Sequence, residues 1–177
     1  MWMMAIVGLV LFIIGQQGFK YGRKALLHYH RKSSHVVRRK EAMDITIEVN
    51  GDINEAEVID IYRANKWSSA EKPEQLLPAL RHSHTLITAR QDGVLVGLAN
   101  AISDGHLVVY YPHILVHPDH HGKGVGRKMV ASMQSIYSGY HQQMLTADGD
   151  AIDFYKALGF ERAGKTEPMW KYAGTDH

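Results

Sequence analysis

The sequence predicts an α/β (α+β) fold, a mixed and mostly antiparallel central sheet flanked by helices. Three observations carry the prediction. Short alternating apolar runs and 3.6-residue apolar patterns succeed one another along the chain. Two strand patterns meet at Asp92-Gly93, a strong hairpin turn. A third, closing on Ile114-Leu115-Val116-His117-Pro118, passes through a glycine-rich turn and feeds a helix pattern. The 177 residues suffice for one such domain with a proper core.

Residues 1–42 read as a hydrophobic and basic leader, and residues 43–177 as the domain. Trp2 to Ile14 is a run of thirteen uncharged residues. At helical rise that run spans about 20 Å, short of the roughly 30 Å hydrocarbon core. Extension to Phe19 takes in Gly15, Gln16, Gln17 and Gly18. Residues 1–42 carry eight lysines and arginines against Glu41 alone, a net +7, while the remaining 135 residues hold 12 basic and 17 acidic groups, a net −5. No basic residue precedes the apolar run and no small-x-small site follows it, which argues against a secretory signal. The basic stretch obeys the positive-inside rule for a helix whose C-terminal side is cytoplasmic. Three readings stay open: a short membrane anchor through residues 1–19, an interfacial helix, or a start misassigned upstream of Met43. The expected location is a cytoplasmic domain, tethered if the anchor is real. An acidic domain is a poor partner for nucleic acid.

Within the domain, Ile45-Thr46-Ile47-Glu48-Val49 alternates as a strand and stops at Asn50-Gly51. Asn54, with Glu57 three residues on, opens a helix through about Lys66. Pro73 to Arg81 is a second helix with Leu76, Leu77 and Leu80 on one side, and Pro78 threatens to kink or end it. His84–Arg90 and Val94–Ala101 are the hairpin strands. Leu107–Val116 is a long strand in which Pro112, lacking an N–H, demands a bulge or an edge. Gln142–Thr146 and Met169–Tyr172 read as two further strands. Between them Ala151, Ile152, Phe154, Tyr155 and Leu158 mark one face of a helix, with Asp148 as its N-cap and Gly159 as its C-terminal cap.

The turn His121-Gly122-Lys123-Gly124-Val125-Gly126 is where the chemistry concentrates. Free backbone N–H groups and the dipole at a helix N-terminus favour a phosphate-bearing ligand, and glycines allow close approach. No Ser or Thr follows Lys123, so it is not a Walker loop, and the glycine spacing is not that of a dinucleotide fingerprint. With Val116-His117-Pro118 before it, the turn resembles the acyl-CoA pyrophosphate loop of the GNAT acyltransferase superfamily, His121 standing where Gln or Arg is usual. Ala151-Ile152-Asp153-Phe154-Tyr155-Lys156-Ala157-Leu158-Gly159-Phe160 resembles that superfamily's later motif. The resemblance covers roughly residues 44 to 172.

The resemblance implies a sheet whose strands splay at a cofactor cleft, and transfer of an acetyl group from acetyl-CoA to a primary amine by direct attack. It implies that the backbone at Leu115 and Val116 binds the thioester carbonyl and pantetheine arm. It implies that His121, Gly122, Lys123, Gly124, Val125 and Gly126 hold the pyrophosphate, with Arg127 or Lys128 adding charge. Asp148 falls where relatives carry an Asn against the pantetheine arm. Tyr155 matches the usual general acid. His113 lies on the strand facing the acceptor, where an imidazole suits a general base; Asp104, His106 and Tyr111 are rivals. Tyr62 and Trp67 are candidates to line the acceptor cleft.

The chain has no cysteine, so a covalent acyl-enzyme on sulfur is excluded. His113, His117, Asp119, His120 and His121 crowd together but meet no fixed zinc spacing, so no metal is expected. Ser68-Ser69 shows no nucleophile elbow. The expected partner is a small-molecule or peptide amine, and the reading admits a homodimer. A non-catalytic acyl-CoA-binding module and a membrane-tethered interaction protein are the competing classes.

Overall fold

The computed structural model describes residues 44–171. Among these residues a five-stranded sheet runs in the order β1-β2-β3-β4-β5: β1 (Ile45–Val49), β2 (Thr85–Gln91), β3 (Val94–Ser103), β4 (Val108–Val116) and β5 (Gln142–Leu145). β1 to β4 pair antiparallel, and β4 and β5 pair parallel. The helices are α1 (Glu55–Ala64), α2 (Pro73–Arg81), α3 (Val125–Ile136) and α4 (Ala151–Lys156), with 3-10 turns at Ser68–Glu71 and Pro118–His120. This is the mixed, mostly antiparallel sheet that the sequence predicts.

Local chemistry explains the boundaries. Asn50, with φ 53°, turns the chain after β1, and its side-chain oxygen accepts the Leu86 N–H at 2.9 Å. Asn54 caps α1 by accepting the Glu57 N–H at 2.9 Å, while its own amide donates to the Glu57 carboxylate. Pro78 sits inside α2 without ending it. Asp92 (φ 51°) and Gly93 (φ 81°) both adopt the left-handed conformation, as a two-residue hairpin turn requires.

The sheet buries a different set of residues on each face. On one, α1 and α2 bring Val58, Ile61, Tyr62, Leu77 and Leu80 onto Leu86, Leu95, Leu98 and Leu115. On the other, α3 brings Val125, Met129 and Met133 onto Ile87, Ala89, Val96, Ala99, Val109 and Tyr111. Gly97 has no side chain because Met129 lies over it: a Cβ there would stand 3.1 Å from Cε of Met129 and 3.2 Å from the Leu115 carbonyl.

The predicted strand at Met169–Tyr172 does not form over residues 169–171, where Met169 and Trp170 are exposed, and Tyr172 lies outside the described residues. The run is too short to bury an apolar face of its own. The readings of residues 1–42, including the membrane contact through residues 1–19, also lie outside the described residues. Among those described, no helix is long and apolar enough to cross a membrane.

Candidate active site

β4 organises the site through the bulge that Pro112 imposes. Asn100 pairs with His113 and Ile102 with Tyr110, so β4 spends one residue more than β3 over this stretch. β5 pairs only with Val108 to Tyr111. Past Tyr111 the far edge of β4 is therefore open. The His117 N–H bonds back to Val96 of β3 at 2.9 Å. Alternation along the strand then turns the Leu115 and His113 amides to β3, and those of Ile114 and Val116 to the open edge. Of the two amides expected in the cleft, Leu115 is thus engaged with β3, and Ile114 is its counterpart at the open edge, missed because the sequence gives no strand parity across a bulge.

The loop after β4 ends at the N-terminus of α3. Gly122 (φ 71°) and Gly124 (φ 81°) take left-handed conformations, and a Cβ on either would meet nothing within 4 Å. Gly124 caps α3, leaving the first-turn amides without helical partners. Lys123, Arg127 and Lys128 are exposed around this turn. Such a loop can receive an anionic diphosphate on backbone donors at a positive helix end. Among the described residues no group of three His, Asp or Glu side chains is disposed to hold a metal ion.

His121 does not point its Nε2 into the loop. That nitrogen lies 2.8 Å from the Val116 carbonyl oxygen, so it must carry the proton and donate. Asn65, at the end of α1, donates to the same carbonyl at 3.1 Å. In its neutral form His121 has no N–H left for a phosphate, which corrects its expected role as a donor. Nothing in the sequence pairs residue 65 with 116.

The two motifs read from the sequence touch. A Cβ on Gly126 would stand 3.3 Å from Cζ of Phe154 and 3.7 Å from Cγ2 of Val116. Phe154 meets Tyr155 edge to face at 5.0 Å between centroids, and Tyr155 meets Phe160 at 6.0 Å. Gln134 of α3 donates to the Leu158 carbonyl at 2.8 Å, fixing the end of this segment. Tyr155 is partly buried, and burial raises its phenol above the ordinary range. Asp148 is not the helix cap: Asp150 holds that position, and Asp148 contributes only its carbonyl, which accepts the Ala151 N–H at 3.1 Å.

His113 occupies an aromatic niche. The Tyr62 hydroxyl lies 2.6 Å from its Nδ1, and the rings of Tyr62 and Trp67 stand edge-on to it at 5.5 and 5.2 Å. Tyr62 is fully buried, so its O–H needs an acceptor, and Nδ1 is the one in reach. The proton of the neutral ring then sits on Nε2. Burial also pushes the His113 pKa down to about 4. His113 is therefore a neutral ring whose Nδ1 is engaged by Tyr62, an arrangement that makes it a weak base. Two of its three rivals are engaged elsewhere. Asp104 is held at about 2 by accepting the N–H groups of His106, Leu107 and Val108. Tyr111 donates its hydroxyl to Gln143 in the α3-side core, and burial raises its pKa.

Comparison with known proteins agrees with this geometry. The family model of the acetyltransferase (GNAT) domain matches residues 82–162. An uncharacterized N-acetyltransferase of Pyropia yezoensis is 29% identical over 127 residues, covering 68% of this chain and 72% of its own. The N-alpha-acetyltransferase RimI of Mycobacterium tuberculosis is 28% identical over 115 residues, covering 62% of this chain and 71% of its own. Over residues 82–162 the chain carries a GNAT acetyltransferase domain. A solved GNAT-family acetyltransferase from Streptococcus pneumoniae shares the fold with a TM-score of 0.65 at 24% identity, over 73% of this chain and 99% of that one. The GNAT fold and these relatives make the protein an acyltransferase.

In this GNAT domain His117 is a loop anchor. Its Nδ1 accepts the Asp119 N–H at 3.3 Å, and its Nε2 lies 3.8 Å from the Asp60 carboxylate of α1. His120 packs against it at 6.2 Å between ring centroids. Burial, then the nearby charge of Lys123, lowers the His120 pKa.

Proposed function

We propose that residues 43–177 transfer an acetyl group from acetyl-CoA to a primary amine by direct attack. The observation that carries this reading is the contact of Phe154 with Gly126. It brings the open glycine turn at the start of α3, Val116 at the end of β4 and the Phe154-Tyr155 segment together. The residues present suit the co-substrate. Backbone amides from Lys123 to Gly126, with Arg127 or Lys128 beside them, match a diphosphate; the edge amides of Ile114 and Val116 match an extended amide-bearing arm.

In the reaction the amine nitrogen bonds to the acetyl carbon as the C–S bond breaks. Tyr155 holds the proton for the departing thiolate. A lysine-like amine near pH 7.5 costs roughly 4 kcal/mol to deprotonate. No buried carboxylate or histidine of the site is a strong enough base, so the amine gives its proton to solvent. The name of the mycobacterial relative supports an α-amine of a peptide as one acceptor class, beside small amines.

Screening primary amines and short peptides with acetyl-CoA and a free-thiol readout tests the reading. Thiol release that depends on the amine supports it, and release should survive deletion of residues 1–42. Tight CoA binding without turnover on any amine would favour a non-catalytic acyl-CoA-binding module.

A further inference from the structure

The sheet face under α1 and α2 is only partly covered. Leu86, Leu95, Leu98 and Leu115 are buried there, and cover ends near Asn100 and His113. Beyond that point an apolar row crosses three strands in register, Ile102 of β3 opposite Tyr110 of β4 and Tyr110 opposite Met144 of β5. These residues are 57%, 36% and 44% exposed, and Val108, two residues from Tyr110 on the same face, is 36% exposed. Large exposed apolar groups that adjoin one another mark a binding surface more often than scattered ones do.

The bulge joins this row to the site. Residues three apart on a regular strand point to opposite faces. The extra residue at Tyr111-Pro112 returns His113 to the face that carries Tyr110. The opposite face is filled by Val125, Met129 and Met133 of α3. Whatever reaches a thioester in the β4–β5 opening must therefore come from the side of the apolar row. That side offers a cation little. The Asp104 carboxylate is occupied by three backbone amides, and Glu57 is paired with Arg90. The one polar tip along the row is the Tyr110 hydroxyl, 3.3 Å from Oγ1 of Thr146.

We infer that Ile102, Val108, Tyr110 and Met144 form an acceptor subsite that takes the apolar or aromatic body of the amine, with its nitrogen toward His113 and Trp67. This rests on the acetyltransfer reading and adds the acceptor's chemical class to it. A polyamine would find Asp104 and Glu57 already engaged, and a polyhydroxylated amine would find few polar groups along the row beside the Tyr110 hydroxyl and Thr146.

The test uses the full chain, acetyl-CoA and four probe amines, phenethylamine and hexylamine against spermidine and ethanolamine, with thiol release as readout. The inference predicts kcat/KM at least tenfold higher for the first pair. It predicts that Met144→Asp and Ile102→Asp each raise KM for phenethylamine about tenfold, leaving KM for acetyl-CoA unchanged. Spermidine used as well as phenethylamine, or an unmoved phenethylamine KM in both variants, would overturn it while sparing the acetyltransfer reading. Turnover of none of the four, nor of any amine or peptide in a wider panel, would remove that reading and the subsite with it. A wild-type dimer that Met144→Asp turns into monomers would assign the face to a second copy instead, and would also overturn the inference.

Discussion

The hydroxyl of Tyr62 lies 2.6 Å from Nδ1 of His113 and settles which nitrogen carries the proton. A buried phenol has to donate, so His113 accepts at Nδ1 and keeps its proton on Nε2. The pairing ties α1 to the bulged half of β4. It also makes His113 a poor base, because protonation would break the bond and charge a ring lodged between Tyr62 and Trp67.

That arrangement has a pH consequence. The folded pKa of His113 is about 4, against about 6.5 for an unfolded histidine. Between these values the unfolded chain binds a proton that the folded chain refuses. Stability should therefore fall as pH drops from 6.5 to 4, by up to about 3 kcal/mol from this residue. Urea melts of wild type and His113→Gln at pH 7, 5.5 and 4.5 isolate the effect, because other titrations are common to both. The wild type should lose more stability than the variant. Equal losses would mean that His113 is protonated in the fold. The kcat/KM profile should likewise carry no inflection due to His113 between pH 5.5 and 8.

Gly126 and Phe154 should be energetically coupled. A Cβ at 126 would press on Phe154 from 3.3 Å, which is tighter than ordinary contact. Gly126→Val should weaken CoA binding and destabilise the domain, while Gly126→Val in a Phe154→Ala background should do so less. A double-mutant cycle in thermal melts should give a coupling of about 1 kcal/mol. Additive losses would show that the two motifs pack independently. Gly124→Ala is a contrasting case. Its Cβ has open space, so the cost comes from the backbone at φ 81° alone, about 1 kcal/mol.

How much of this was legible follows from the range of the forces involved. The hairpin at Asp92-Gly93, the cap at Asn54 and the break at Pro112 depend on neighbours in sequence, and all three appear where the residues call for them. The glycine turn was legible for the same reason, since its conformation is written in Gly122 and Gly124. What the sequence does not show is where the folded chain aims its side chains. His113 looks like a base until Tyr62, 51 residues away, takes its nitrogen. His121 looks like a phosphate donor until its ring folds back to the Val116 carbonyl. Met169-Trp170-Lys171 is a short, partly apolar run, and such a run alone supplies no partner strand.

Arg90 should be the most costly charge to remove from the described residues. Its guanidinium donates to both oxygens of Glu57 at 2.9 and 3.2 Å, to the Asp52 carbonyl and to the Gly93 carbonyl. It thereby fastens α1, the β1–α1 loop and the β2–β3 hairpin together. The pairing with Arg90 lowers the Glu57 pKa. The stabilisation is thus complete above the usual carboxylate range near 4.5 and fades as pH falls through the lowered value. Arg90→Ala should cost about 2 kcal/mol at pH 7 in a chemical melt, and less at pH 3. A cost below 0.5 kcal/mol at pH 7 would reduce the pair to a solvated surface contact.

Tyr155 is where acid catalysis and packing can be separated. Its ring is held edge-on between Phe154 and Phe160, and Phe keeps that packing while removing only the hydroxyl. Tyr155→Phe should therefore melt close to wild type and bind CoA with unchanged affinity, yet lose about 100-fold in kcat. Burial raises the Tyr155 pKa above 10, so the wild-type phenol keeps its proton throughout the neutral and mildly alkaline range. The wild-type rate should accordingly rise with pH as more amine is free, with no fall up to pH 9. If Tyr155→Phe turns over as fast as wild type, the thiolate takes its proton from water, and Tyr155 is only the aromatic filler between its two neighbours. If the variant instead loses CoA affinity at constant kcat, the hydroxyl belongs to the binding of the arm and not to the departure of the thiol.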